Sequence, residues 1–140
     1  MIYKGDDVKR LIPQRNPFIM VDTLEADGGN TAVTTLAVRH GNYFLLPDGT
    51  LAETGLIEHI AQSCSALAGC QALAREVSDP PVGIIGEVKH FVCHRRPRLG
   101  ECLSTTVTFN MTFGNVTLAT GQSLVGDEPI AEVNLKIFIQ

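Results

Sequence analysis

Positive charge is scarce in this sequence. Its 140 residues contain 11 Lys and Arg against 15 Asp and Glu, which gives a net charge of −4. The basic residues are scattered apart from one short run, Arg95, Arg96 and Arg98, so no stripe can follow a nucleic-acid backbone. We therefore expect no nucleic-acid partner. The run itself is either a solvated turn or a patch that attracts an anionic ligand.

Long apolar runs are also missing. No segment approaches the roughly 20 apolar residues that span a bilayer. The first seven residues include Asp6 and Asp7 and lack the apolar core of a secretory signal. We therefore expect a cytoplasmic protein without membrane insertion.

Paired cysteine motifs and glycine-rich nucleotide-binding motifs are absent as well. The four cysteines, Cys64, Cys70, Cys93 and Cys102, form no Cys-x-x-Cys pair, which favours reduced structural thiols. Cys93 and His94 are adjacent, but neighbours on a strand point to opposite faces and rarely share a metal ion. We predict neither a metal nor a cofactor.

The remaining composition is that of an ordinary globular protein, with 44% hydrophobic residues. A chain of this length buries roughly two-thirds of its unfolded surface when it folds. We found no internal repeat. The sequence therefore predicts a single domain over residues 1–140.

The first 40 residues predict a short helical turn and a hairpin. Asp6 or Asp7 can cap a turn over residues 8–11, which Pro13 then stops. Residues 18–24 are rich in strand formers, and the turn residues 27–30, Asp-Gly-Gly-Asn, precede a second strand over residues 31–38.

From Thr50 to about Val77 the apolar period becomes helical. Residues 50–53, Thr-Leu-Ala-Glu, have the spacing of a capping box, so the helix begins there or one turn later. Apolar and small residues cover most of its circumference, which is typical of a buried helix. Residues 78–81, Ser-Asp-Pro-Pro, are expected to end it.

Four strands are predicted beyond the prolines. In residues 102–113 the odd positions from Leu103 to Phe113 form one apolar face, and turns at residues 114–115 and 126–129 separate the strands that follow as a meander. The order of hairpin, long helix and four strands predicts an α+β fold with an antiparallel sheet packed on the helix. Its exposed edges predict a dimer.

A polar stripe interrupts the apolar helix. Glu58, Gln62 and Ser65 are spaced i, i+4, i+7 and share one face. An ionised carboxylate is costly to bury unless it is paired. The stripe is either structural, facing solvent or a dimer seam, or it holds a general acid or base. Periodicity alone does not choose between these interpretations.

Two segments resemble a known family. Residues 12–22, Ile-Pro-Gln-Arg-Asn-Pro-Phe-Ile-Met-Val-Asp, are similar to the Ile/Leu-Pro-His-Arg-x-Pro-Phe-x-x-Val-Asp opening of 3-hydroxyacyl-ACP dehydratases. Residues 56–63 are similar to their central-helix motif, which contains Glu-x-x-Ala-Gln. The resemblance implies a hot-dog fold, in which a curved antiparallel sheet wraps one long helix, and a dimer. Residues 48–51, Asp-Gly-Thr-Leu, are more like the dehydratase-like proteins of aryl-polyene and flexirubin pigment clusters, which act beside a second hot-dog subunit.

The resemblance also implies roles for single residues. Glu58 would protonate the leaving 3-hydroxyl, and Gln62 would hold its carboxylate. The family's catalytic histidine, fourteen residues before the glutamate, corresponds to Phe44, which has no basic nitrogen. The family's glycine at the helix start is replaced by Glu53, and Gly55 is the nearest substitute for binding the thioester oxygen. We expect Gln62, Phe44 and Gly55 to bind substrate.

Another histidine could replace the missing base. His40 is followed by Gly41, so a rearranged loop could present it to the substrate. His59 follows Glu58 directly, and the helix turns it about 100° away. His90 and His94 are interpreted as half-exposed sheet residues.

Three functions are consistent with these residues. The first is a dehydratase for 3-hydroxyacyl thioesters of acyl carrier protein or CoA, with the base supplied by another subunit. The second is a hot-dog acyl thioesterase, in which the carboxylate activates water without a histidine. The third is a non-catalytic partner subunit that completes a heterodimer. We expect a homodimer or a heterodimer.

Overall fold

One long helix and a seven-stranded sheet form the fold. The computed structural model describes residues 1–77 and 81–139. Helix α1 spans Glu53–Ala74. The strands are β1 (Ile2–Lys4), β2 (Thr23–Ala26), β3 (Thr31–Ala37), β4 (Gly83–Cys93), β5 (Cys102–Phe113), β6 (Val116–Val125) and β7 (Glu128–Ile139). Their order is β1-β2-β3-β5-β6-β7-β4, and all neighbours are antiparallel. The predicted α+β class is confirmed.

The predicted hairpin is present, although its first strand is shorter than expected. Strands β2 and β3 pair around the turn at residues 27–30. Residues 18–22 lie outside the strand. The backbone groups of Phe18 and Met20 form hydrogen bonds with side chains of α1 and not with a neighbouring strand. Strand β1 has no counterpart in the predicted elements, and it pairs with β2 at the sheet edge.

The short N-terminal turn is a 3₁₀ helix over Gly5–Arg10, which begins before the predicted residues 8–11. The predicted cap by Asp6 or Asp7 is wrong, since the N-cap position is Lys4 and no side chain caps it. Asp6 instead forms an exposed ion pair with Lys9 at 3.1 Å.

Both ends of α1 differ from the predicted signals. The N-cap is Ala52, and the capping box is wrong because Thr50 bonds to Asp48 Oδ1 through its N–H (3.0 Å) and hydroxyl (2.7 Å). At the other end Glu76 adopts φ 64°, and the Val77 N–H donates to Ala72 O at 2.9 Å. This closes the helix as a Schellman-type cap. The predicted stop falls partly on residues 78–80, which lie outside the described residues.

The predicted alternation of exposed and buried side chains in β5 is confirmed as far as Phe109 and is lost beyond it, where all side chains are exposed. A bulge at Asn110 separates the pairs Phe109↔Ala119 and Met111↔Leu118. The extra residue moves the following side chains to the other face of the sheet. Met111 and Phe113, predicted to be buried, are therefore 51% and 62% exposed.

Strand β4 is a free edge of the sheet in the described chain. It pairs with β7 on one side, so only β5, β6 and β7 follow one another as the predicted meander. Ile85 and Val88 are in register with the buried residues Ile137 and Leu135, yet they are 36% and 41% exposed. The apolar inner face of the sheet thus continues onto β4 beyond the cover of α1.

A glycine on α1 sets how closely the N-terminal segment approaches the helix. Gly69 is buried, and a methyl group there would overlap the backbone carbonyl of Leu11. Leu11 and Ile12 are fully buried beside the helix. The close approach therefore fixes the start of the segment that leads to Phe18 and Met20.

Gly69→Ala is expected to lower the free energy of unfolding by about 1 to 3 kcal/mol, as overpacked sites do. This loss should occur although alanine is the better helix former by up to about 1 kcal/mol. Urea unfolding measures the difference. The control is Gly29→Ala at an exposed turn, with an expected change below about 0.5 kcal/mol. Equal stability of Gly69→Ala and the wild type would contradict the close contact with Leu11.

Candidate active site

The amide of Gln62 holds the carboxylate of Glu58. Its Nε2 donates to Glu58 Oε1 at 2.9 Å and to Phe18 O at 2.8 Å, while its Oε1 accepts the Met20 N–H at 2.7 Å. A backbone carbonyl can only accept and a backbone N–H can only donate, so the amide cannot be turned over. The second hydrogen of its NH₂ group is therefore directed at Glu58.

The polar stripe of α1 borders a small cleft. The cleft has a volume of about 60 Å³. Glu58, which is half-buried, lies in its wall with Gln62 and Ser65, as the helical spacing predicted. The remaining lining residues are Gln14, Ala61, Gly83, Ile85 and Ile137. The stripe therefore faces a partly enclosed space next to the free edge strand β4.

His59 lies on the buried side of the same helix. Its ring is 2.6 Å from Met20 O and 2.7 Å from Thr105 Oγ1. Because a carbonyl only accepts, Nδ1 carries the hydrogen, and neutral Nε2 accepts from the Thr105 hydroxyl. Thr105 in turn accepts from Ser123 at 2.7 Å. Burial lowers the pKa of His59 to about 4, so it is neutral at pH 7 and both of its nitrogens are occupied.

Phe44 and Gly55 lie together at the start of α1 and do not line the cleft of Glu58. A side chain at Gly55 would overlap the Cβ of Phe44, so glycine allows the ring to pack there. Phe44 also stacks edge-on against Tyr43. The Gly55 N–H donates to Ala52 O at 2.9 Å and is occupied in this conformation.

The other histidines also lie away from the cleft. His40 is exposed after β3 and borders a separate depression with Asn16, Pro17 and Asp22. His90 is exposed on β4, and His94 is exposed just after it. All four histidines fall within the described residues, and none of them lines the cleft of Glu58.

Gln14 is a lining residue that was not among the predicted site residues. It occupies the position at which the dehydratase opening motif has histidine, and that difference was the available signal. Its Oε1 and the hydroxyl of Ser65 are buried without hydrogen-bond partners in the described chain. Both residues line the cleft together with Glu58.

The basic run is mostly neutralised by the protein's own carboxylates. Arg95 bonds to Glu101 and Glu128, each at 2.8 Å. Hydrogen bonding by Arg95 lowers the pKa of Glu101 to about 2. Arg96 pairs with Asp48 at 3.1 Å. For Arg95 and Arg96 the structure therefore favours a role in holding a turn.

Comparison with known proteins identifies the family. The model of the ApeP-like family, described as ApeP dehydratase, matches residues 6–140. The chain belongs to this family. A 3-hydroxyacyl-[acyl-carrier-protein] dehydratase FabZ of Natranaerobius thermophilus is 30% identical over 135 residues, which are 93% of this chain and 92% of that protein. The predicted resemblance is confirmed, and the chain is a 3-hydroxyacyl-ACP dehydratase-like protein.

Solved structures confirm the hot-dog fold. The dehydratase heterocomplex ApeI:P from Xenorhabdus doucetiae matches with a TM-score of 0.87 at 18% identity, covering 95% of this chain and 90% of that chain. A hypothetical thioesterase with coenzyme A from Streptococcus pneumoniae matches with a TM-score of 0.67 at 10% identity, covering 84% of each chain. No helix in the described residues is long and apolar enough to cross a membrane.

Stability is expected to fall as the pH is lowered from about 6.5 to about 4. The unfolded chain protonates His59 near pH 6.5 but the folded chain only near pH 4, so acid favours the unfolded state by up to roughly 3 kcal/mol. Urea unfolding at pH 7, 6 and 5 measures the loss. Glu101 contributes below the three pH values measured, because its stabilisation is lost only as the pH falls from about 4.5 toward about 2.

His59→Asn should remove the dependence on pH between 7 and 5, at a cost in stability at pH 7 from the lost bond to Thr105. His94→Asn, at an exposed position, should keep it. If the slope persists in His59→Asn, the loss of stability has another source and the neutral buried histidine is not its cause.

Proposed function

We propose that the chain is one subunit of a heterodimeric dehydratase that removes water from 3-hydroxyacyl thioesters. Glu58 is the general acid, and the base is a histidine of a second hot-dog subunit. The observation that carries the proposal is the cleft itself. It presents a carboxylate held by Gln62, contains no histidine, and borders the free edge strand β4.

The reaction divides between the two groups. The partner's base removes a proton from C2, the C2–H electron pair forms the C2=C3 double bond, and the C3–O bond breaks. Protonated Glu58 gives its proton to the departing oxygen, so the products are a 2-enoyl thioester and water. Gln62 donates to Oε1 and leaves the other carboxyl oxygen for the substrate.

Strand β4 supports the presence of a partner. Exposed sheet edges readily pair with other strands. Ile85 and Val88 extend the apolar inner face of the sheet and are incompletely covered by the chain's own helix. A second hot-dog subunit on β4 would cover them and bring its side chains next to the cleft, since Gly83 and Ile85 form part of its wall. The similar ApeI:P structure is a dehydratase heterocomplex, which supports a partner of this kind.

The proposed substrates are thioesters of acyl carrier protein or CoA. The similar FabZ protein is named for a substrate on acyl carrier protein, and the similar thioesterase structure contains coenzyme A. Two other arrangements are kept as outcomes of the tests. In a homodimer the base would be His40 of the second copy. In a thioesterase Glu58 would activate water with no histidine, which the histidine-free cleft favours.

Glu58→Gln is expected to reduce dehydration by about 10²- to 10⁴-fold, because amides cannot donate the acid's proton. The chain would be coexpressed with a histidine-bearing ApeI-type subunit, and enoyl thioester and free thiol would be followed separately. The matched control is Glu25→Gln, an exposed carboxylate on β2, which should retain full activity.

Four outcomes separate the proposals. Enoyl product only in the presence of the second subunit supports the heterodimer. Enoyl product from this chain alone that is lost in His40→Ala supports the homodimer. Free thiol supports the thioesterase. If enoyl formation is unchanged in Glu58→Gln, Glu58 is structural and the proposed acid is wrong.

Val88→Asp is expected to prevent association with the second subunit. The substitution would place a carboxylate on an apolar edge that the partner covers. Because the carboxylate would lose its water on association, we expect binding to weaken by at least about tenfold. Size-exclusion chromatography with light scattering measures the complex. Val33→Asp is the matched control, because Val33 is similarly exposed (38% against 41%) but lies on the interior strand β3. Equal loss in both variants would argue against β4 as the interface.

A further inference from the structure

An apolar patch lies on the outer face of the sheet, which is the face directed away from α1. It includes Met111 and Phe113, the two side chains that the bulge at Asn110 turns outward. The members of this outer patch are in register across four strands: Phe113, Val116, Phe138 and Ile84 form one row, and Met111 and Leu118 begin the next. The outer patch therefore extends over β5, β6, β7 and β4 at one end of the sheet.

Gly86 makes the outer patch continuous between β7 and β4. A methyl group at this position would overlap the ring of Phe138, so glycine leaves room for the ring to lie over β4. Ile84, on the far side of this ring, is 49% exposed. Contiguous exposed apolar surface marks an interaction site, and apolar sheet faces are commonly covered by a second sheet.

The charged side chains next to the outer patch all lie on one half of the face. They are Glu132 and Lys136 on β7, and Glu87 and Lys89 on β4. The positions in register with them on β5 and β6 are uncharged: Thr106, Thr108, Met111, Leu118, Thr120 and Gln122. Because the two acids and two bases balance, this half of the face does not favour a strongly charged partner.

A second copy of the same face fits this distribution of charge. A two-fold axis parallel to the strands, between β6 and β7, lays β6 of one copy over β7 of the other and β5 over β4. The strands of the two sheets are then aligned, as in common sheet sandwiches. Each uncharged half covers a charged half, so no like charges meet within these rows. Phe113 faces Ile84, and Val116 faces Phe138, so the outer patch covers itself.

We propose that the outer patch binds the outer patch of a second copy of this chain, so that two copies associate back to back through their sheets. The contact is isologous, with the same residues contributed by both copies. It leaves the edge of β4 free for the second hot-dog subunit, so a complex would contain two copies of each chain. The proposal does not depend on Glu58 being catalytic.

Sedimentation of the Val88→Asp chain alone isolates this contact, because that substitution weakens association at the edge of β4. The Val88→Asp chain is expected to remain a dimer. Adding Phe113→Asp should weaken the dimer at least about tenfold, because the carboxylate would lose its water between two apolar surfaces. Adding Ile2→Asp is the matched control, since Ile2 is similarly exposed (58% against 62%) but lies on β1.

Charges at Thr108 test the position of the two-fold axis. Thr108 faces Lys89 of the second copy, so Thr108→Glu should strengthen the dimer and Thr108→Lys should weaken it, each by about two- to fivefold. In a Lys89→Glu background the order should reverse. Within one chain β6 and β7 separate these two positions, so an effect on folding alone does not produce the reversal.

Three results would overturn the proposal. The first is a monomeric Val88→Asp chain together with a wild-type complex that holds one copy of each chain. The second is a dimer that Phe113→Asp and Ile2→Asp affect equally. The third is the same order of Thr108→Glu and Thr108→Lys in both backgrounds, which would place the second copy elsewhere on the chain.

Discussion

The rest of the site depends on the two hydrogen bonds by which side chains of α1 hold the backbone of Met20. Gln62 accepts the Met20 N–H and His59 donates to the Met20 carbonyl, so both backbone groups of one residue are held by one helix. This fixes the Gln62 amide and directs its remaining hydrogen at Glu58. The close contact of Leu11 with Gly69 places the start of the N-terminal segment that leads along α1 to Met20. The carboxylate is therefore oriented by the course of the N-terminal segment.

The same hydrogen bonds help to explain why a helix with several polar groups is stable in the interior. Leaving a buried polar group unpaired costs about 1 to 3 kcal/mol, so pairing decides whether such a helix is stable. His59 stays neutral and joins Met20 to Thr105, while Ser63 bonds to the His59 carbonyl. Because both ring nitrogens of His59 are hydrogen-bonded, neither is available to accept a proton from a molecule in the cleft. His59 is thus fully occupied by structural hydrogen bonds, whereas its neighbour Glu58 lines the cleft.

The sequence predicted two elements from local causes, the hairpin and the polar stripe, although the local capping signals at Asp6 or Asp7 and at Thr50 were wrong. The hairpin depended on its turn residues, and the stripe of Glu58, Gln62 and Ser65 on helical spacing. Residues 18–22 left the predicted strand because α1 takes their backbone bonds, a long-range contact that strand propensity does not contain. Met111 and Phe113 changed faces because of one bulge. The position of Gln14 in the cleft depended on the same N-terminal segment, so no periodic pattern revealed it.

The loss of the family histidine is part of a wider change at the helix start. Phe44 is half-buried in the apolar cluster around Leu51 and Leu56 and packs against Gly55, where no larger residue fits. Glu58, in contrast, keeps the hydrogen bond from Gln62 that the resemblance implied. This arrangement, a held carboxylate without a nearby histidine, is what the proposed sharing of the chemistry with a second subunit requires.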